Sequence, residues 1–98
     1  MTHTVEFLEP AATDLIALYE WIEDAAGSAI ADAYLARLKA RCLTLADFPN
    51  RGTPRDDLRR GIRSLSFEGR MLIFYQVQDQ TVSILHILST ARETPTLI

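Results

Sequence analysis

Between Leu8 and Leu45 apolar side chains recur every third or fourth position, and beyond Ile62 they recur every second. The first spacing collects side chains on one face of an α-helix and the second on one face of a β-strand, so the chain changes architecture near its middle. Leu8, Ala12, Leu15, Tyr19, Ile22 and Ala26 draw one helical stripe. Pro10 suits a first helical turn, where a missing N–H leaves no bond unmade, and Gly27 is placed to end the helix. Ser28 reads as the N-cap of a second helix, whose stripe is Ala31, Leu35, Leu38, Cys42 and Leu45. So short a connection folds the helices back on each other as an antiparallel hairpin, and the alanine-rich composition permits close approach.

Residues 5 to 8 read as a short strand before the hairpin. After it, Pro49 to Pro54 is turn chemistry, and residues 62 to 67 alternate apolar and polar as a half-buried strand does. Glu68-Gly69 makes a turn, residues 70 to 77 are rich in bulky β-formers, Gln78-Asp79-Gln80 is polar, and residues 81 to 88 resume the strand pattern. The expected architecture is α+β in the order β-α-α-β-β-β, a helical hairpin over one face of a three-stranded antiparallel meander. A sheet that small leaves apolar surface or an open edge for a partner.

At 98 residues and 48% apolar content, the chain reads as a single domain spanning 1–98. Its longest apolar run, Met71 to Tyr75, is far short of the roughly 20 residues of a membrane-spanning helix. The N-terminus lacks the basic start and apolar core of a secretory signal, which favours the cytoplasm. One cysteine closes no internal disulfide, and two widely separated histidines offer no metal-ligand spacing. No metal or other cofactor is expected.

The net charge of −3 conceals an asymmetry. Residues 1 to 50 carry three basic and eight acidic side chains, and residues 51 to 98 carry seven and five. Arg51, Arg55, Arg59, Arg60 and Arg63 cluster beside Asp56 and Asp57 only, so one face is expected to be positive and to suit an acidic partner or phosphate. A pI near 5.2 argues against general or sequence-specific nucleic-acid binding by this chain alone.

Candidate chemistry is sparse. The glycines never cluster into a phosphate loop. His86 and Ser89 stand three apart without a nucleophile turn. On strand alternation His86 shares a face with Ile84 and Leu88 and is expected to be structural. Trp21 lies one position off the first helical stripe and reads as core or edge packing. Cys42 reads as a small buried hydrophobe. Gly52 and Gly61 are expected where a side chain would strain the backbone. Phe74 and Tyr75 are expected on opposite faces, one in the core. Arg63 and Arg92, by contrast, have guanidinium groups suited to bidentate carboxylate or phosphate contacts.

Pro49-x-x-Gly52, Leu58-x-x-Gly61-Ile62-Arg63, Leu72-Ile73-Phe74-Tyr75, Val82-Ser83-Ile84, then Ile87-Leu88 and Arg92, following a helical hairpin with Asp14-Leu15 and Tyr19-x-x-Ile22, resemble the ParE branch of the RelE/ParE toxin superfamily over nearly the whole chain. That resemblance implies the toxin of a type II toxin–antitoxin system, inhibiting DNA gyrase and replication as a protein inhibitor rather than a catalyst. It further implies a ParD-like ribbon-helix-helix antitoxin and a toxin–antitoxin hetero-oligomer. Many relatives carry a histidine three residues before the final arginine, where this chain has Ser89.

Two alternatives stand beside that reading. A RelE-type toxin cuts messenger RNA in the ribosome with basic residues and often a C-terminal tyrosine. Here Lys39 is the only lysine and no tyrosine follows Tyr75, so proton-transfer groups are missing, arginine being always protonated. The third reading is a non-toxic binding module that keeps the fold. The partner-binding set expected from the sequence is Arg51, Arg55, Arg59, Arg60, Arg63 and Arg92, with an antitoxin segment laying an apolar helix in a groove beside the hairpin and acidic side chains on the arginines.

Overall fold

The computed structural model describes residues 2–90. Strand β1 (Thr4–Phe7) leads into helices α1 (Glu9–Ala26) and α2 (Ser28–Leu43), then a single 3₁₀ turn (Thr44–Ala46), a two-residue strand β2 (Thr53–Pro54), and strands β3 (Ile62–Phe67), β4 (Met71–Gln78) and β5 (Thr81–Ser89). The antiparallel β3-β4-β5 meander is present as expected, but it is the centre of a five-stranded mixed sheet ordered β1-β5-β4-β3-β2. β1 joins β5 in parallel, from Thr4 opposite Thr81 to Phe7 opposite Ile84, and β2 pairs with Ser64 and Arg63 inside the segment expected to be only turn. A parallel partner must be reached by a crossover, and the α-hairpin with the meander supplies it.

The second helix follows its sequence pattern closely: Ala31, Leu35, Leu38, Cys42 and Leu45 are all buried. The first keeps Leu15 and Ile22 of its expected stripe in the core, adds Ala11 and loses Ala26. Ala11, Leu15 and Ile22 are buried, Ala12 and Tyr19 are half-buried, and Ala26 is exposed. Ser28 is not the cap but the first residue of α2. Gly27 occupies the N-cap at φ +95°, with no side-chain cap bond, a conformation that favours glycine.

Residues of β4 separate the two faces of the sheet. Met71, Ile73 and Tyr75 join the core under the helices, with Leu65, Phe67, Val82, Ile84 and Ile87. Phe74 instead packs with Ile62 on the other face, against the partly buried Leu58, Leu72, Leu85 and Leu88. Phe74 and Tyr75 therefore do point opposite ways, but each is buried in a core of its own.

A bulge corrects the expected alternation of β5. Tyr75 pairs with Ile84 and Phe74 with His86, which leaves Leu85 as the extra residue. The pattern slips by one: Ile84 and Ile87 face the helices while Leu85 and Leu88 face away. Ile84 and Leu88 thus do not share a face with each other or set one for His86.

Candidate functional site

The segment between α2 and β3 carries the arginine cluster and is pinned to the sheet by one buried tyrosine. The Tyr75 hydroxyl donates to the Pro49 carbonyl (2.8 Å) and accepts from the Gly52 N–H (2.9 Å). Burial pushes its pKa above the ordinary tyrosine value. A Cβ at Gly52 would lie 2.5 Å from that hydroxyl and 2.9 Å from the Ser64 carbonyl, so glycine is required by close approach. At Gly61 the cause is the backbone itself, at φ +88°.

The arginines divide by what they touch. Arg63 Nη1 donates to the Gly52 carbonyl (2.7 Å) and to the Asn50 carbonyl (3.1 Å), holding the segment in place. Arg55 forms a two-point pair with Asp57, both distances 3.1 Å, and lies over the Phe74 ring. The same pair holds the Asp57 carboxyl below its ordinary pKa. Arg51 donates to Thr44 Oγ1 (3.2 Å) and rests over Phe48. Arg59 and Arg60 are exposed, and Arg92 lies outside the described residues. Arg55 over Phe74 and Leu58 against the same cluster lie on the face of the sheet away from the helices, whereas Arg63, opposite Tyr75, and Arg51, bonded to Thr44, lie toward the end of α2.

A second surface lies on the helical side. A groove of about 850 Å³ runs between α1, the start of α2 and the ends of β4 and β5, lined by Leu18, Trp21, Ala25, Ile30, Tyr34 and Arg70 among others. Trp21 is 69% exposed and Ile30 56%, so Trp21 is not the core or edge residue its position implied. An aromatic side chain left in the open inside an apolar groove is the usual anatomy of a binding hot spot.

Asp14 is one of the residues lining that groove. β1 stops opposite Ile84, and beyond this point the Asp14 carboxylate accepts a hydrogen bond from the Ile87 N–H (3.0 Å) and meets His86 Nδ1 at 2.9 Å. A side chain of α1 thus substitutes for the strand neighbour that β5 loses at its bulge. His86 Nδ1 is thereby engaged by the Asp14 carboxylate.

Cys42 is wholly buried, and burial pushes its thiol up to about 12, so it behaves as a hydrophobe. Among the described residues no group of three or more His, Cys, Asp or Glu side chains is arranged to hold a metal, and no helix is long and apolar enough to cross a membrane. The sequence offered one signal for the groove, the displacement of Trp21 from the helical stripe; the exposure of Ile30 and the role of Asp14 had none.

No curated protein matches the chain. Among solved structures it is similar to a chain of the chromosomal ParDE toxin–antitoxin system of P. aeruginosa, with 22% identity, 90% of this chain and 96% of that chain covered, and a TM-score of 0.80. It is also similar to a chain of the RelBE2 toxin–antitoxin complex of Mycobacterium tuberculosis, with 28% identity, coverage of 91% and 99%, and a TM-score of 0.64. These likenesses agree with the fold: an N-terminal strand, a helical hairpin and a meander. The family model for the ParE toxin of the parDE type II toxin–antitoxin system matches residues 5–94, and with nearly the whole chain spanned, this protein belongs to the ParE toxin family.

Proposed function

We propose that the chain, acting as one domain over 1–98 in the cytoplasm, arrests replication by binding DNA gyrase and is held inactive by a ParD-like ribbon-helix-helix antitoxin in a hetero-oligomer. The observation that carries this reading is the family match over residues 5–94, and an apolar groove at Trp21 and an arginine-rich segment support it. The apolar groove at Trp21 suits an antitoxin segment that folds on binding. The arginines at 51, 55, 59, 60, 63 and 92 are proposed to meet carboxylates of the antitoxin or of the target.

The RelE-like neighbour raises ribosome-dependent RNA cleavage as the second reading, and the chemistry around the arginines favours binding instead. The Tyr75 hydroxyl is buried between Pro49 and Gly52, and Lys39 lies on α2 in a separate hollow with Tyr19 and Asp32. The Tyr75 hydroxyl is engaged by those two backbone groups, and arginine is a poor general base.

Induced expression without the antitoxin is expected to stop DNA synthesis first and to trigger the DNA-damage response, with rescue by co-expressed antitoxin. Purified chain is expected to inhibit gyrase supercoiling and to leave message intact in a translating ribosome system. Translation halting while DNA synthesis continues, or codon-specific cleavage abolished by Arg63→Ala, would overturn the gyrase reading. Expression without arrest of any kind would leave the binding module.

A further inference from the structure

The face of the sheet away from the helices is only partly covered. Leu72 and Leu88 are cross-strand partners in β4 and β5, and Leu85 is the residue that the bulge leaves beside Phe74. Partners on adjacent strands put their side chains on one face, and all three leucines pack, half-buried, against Ile62 and Phe74. Cover on this face comes from Leu58 and from the Arg55 guanidinium over the Phe74 ring, while α1 and α2 pack against the opposite core. The row continues through Ser66, which pairs with Leu72 and is exposed. A strip of leucine running to the end of a sheet is an apolar surface in want of cover.

The chain leaves the sheet at the end of this strip. Ser89 pairs with Met71, next to the Leu72 and Leu88 pair, and the Thr90 N–H donates to the Arg70 carbonyl (2.8 Å). Residues 91–98, Ala-Arg-Glu-Thr-Pro-Thr-Leu-Ile, lie outside the described residues. Their sequence places turn chemistry at Thr94-Pro95-Thr96, followed by two adjacent large apolar side chains. The seven residues from Thr90 to Leu97 span at most roughly 24 Å. Leu88 lies about 7 Å back along β5 from Thr90, Leu85 about 17 Å, and Ser66 about 10 Å across the strands from Leu88, so the whole strip is within reach.

We infer that residues 91–98 fold back across this face as an intramolecular cover, with Leu97 and Ile98 seated on Leu72, Leu85 and Leu88. In that path Arg92, two residues past the exit, arrives on the face that carries Arg55. Three leucines already half-covered fall short by themselves of the roughly 800 Å² per partner that a stable complex of two proteins buries. A segment of the same chain needs far less, since so short a connection holds it at an effective concentration on the order of millimolar. The inference does not depend on the chain's target or antitoxin.

Cysteine placed at non-stripe positions reads the contact while leaving the leucines and Ile98 in place. Ser66→Cys with Thr96→Cys reports on this face. Ala26→Cys with Thr96→Cys reports on the Trp21 groove, where Ala26 is exposed. Cys42 is wholly buried and does not compete. With oxidised glutathione as the oxidant, the purified full chain is expected to close the disulfide between positions 66 and 96 within one molecule, independently of protein concentration and about ten-fold faster than between 26 and 96. Adding Leu97→Ser with Ile98→Ser is expected to slow the closure at position 66 about ten-fold, because the apolar contact that holds the segment is lost. Far-ultraviolet circular dichroism checks that each variant folds. In the chain without added cysteines, hydroxyl-radical labelling of Leu72, Leu85 and Leu88 is expected to rise when Leu97 and Ile98 are replaced by serine.

Faster closure at position 26, no closure at either position, closure indifferent to the two serines, or labelling of the leucines unchanged by them would each overturn the inference. So would a rate at position 66 that rises with protein concentration, which would make a second copy the cover. Because every readout uses the purified chain alone, none of these outcomes bears on the proposed action against gyrase.

Discussion

Gly52 and Tyr75 form one structural unit, although 23 positions separate them. The Tyr75 hydroxyl is both donor to Pro49 and acceptor from Gly52, and Arg63 secures the same stretch through the Asn50 and Gly52 carbonyls. Tyr75→Phe leaves a buried N–H and a carbonyl without that partner and is expected to cost about 1–3 kcal/mol. Gly52→Ala forces the buried ring or the Ser64 carbonyl to move and is expected to cost about 1–3 kcal/mol by overpacking. Urea unfolding of both single variants and the double variant checks this, and because both act on one contact their effects are expected to fall short of additive. Full additivity would mean the two residues act separately. The sequence marked both residues through the Pro49-x-x-Gly52 and Leu72-to-Tyr75 patterns. It could not show that glycine is needed there to admit a hydroxyl, because the contact exists only once β4 is laid beneath the segment.

At the scale of elements, periodicity read α2 better than α1. The α2 stripe has a single solution, since alternatives one position away would bury Asp32, Lys39 or Arg41. On α1, Ala11 and Ala12, or Leu18 and Tyr19, satisfy the same spacing equally well; packing buries Ala11 over Ala12, and Leu18 and Tyr19 both end half-buried against the core. The bulge in β5 was illegible for a similar reason. Residues 84 to 88 are almost uniformly apolar apart from His86, so alternation could not locate the slip, and the Asp14 contact that stabilises it comes from 73 positions away. Asp14→Ala removes the acceptor for Ile87 N–H and is expected to destabilise the chain by about 1–3 kcal/mol, whereas Asp14→Asn keeps an acceptor and is expected to lose less. Hydrogen exchange at Ile87 tests the local claim. An unchanged exchange rate in Asp14→Ala would show that the carboxylate does not hold that edge.

For the whole molecule the governing feature is the division of charge along the chain, acidic through α1 and basic in the segment between α2 and β3. The excess of acid in residues 1 to 50 and the excess of base in residues 51 to 98 were legible as numbers. The position of Arg55 was not, because it depends on the segment with Leu58 folding over Phe74 and Ile62, away from the helices. The groove and the arginine segment are separate surfaces. A partner that uses both must wrap the domain, which an extended segment that folds on binding can do. Long-range attraction to the arginine side is then expected to act on encounter, and apolar contacts at Trp21 on residence time. Arg59→Glu with Arg60→Glu is accordingly expected to slow antitoxin association several-fold at low salt, to flatten its salt dependence, and to change dissociation much less. Stopped-flow mixing at two ionic strengths distinguishes the outcomes. Unchanged association would place the arginine side outside the antitoxin's path and leave it open to the target even while the groove is filled.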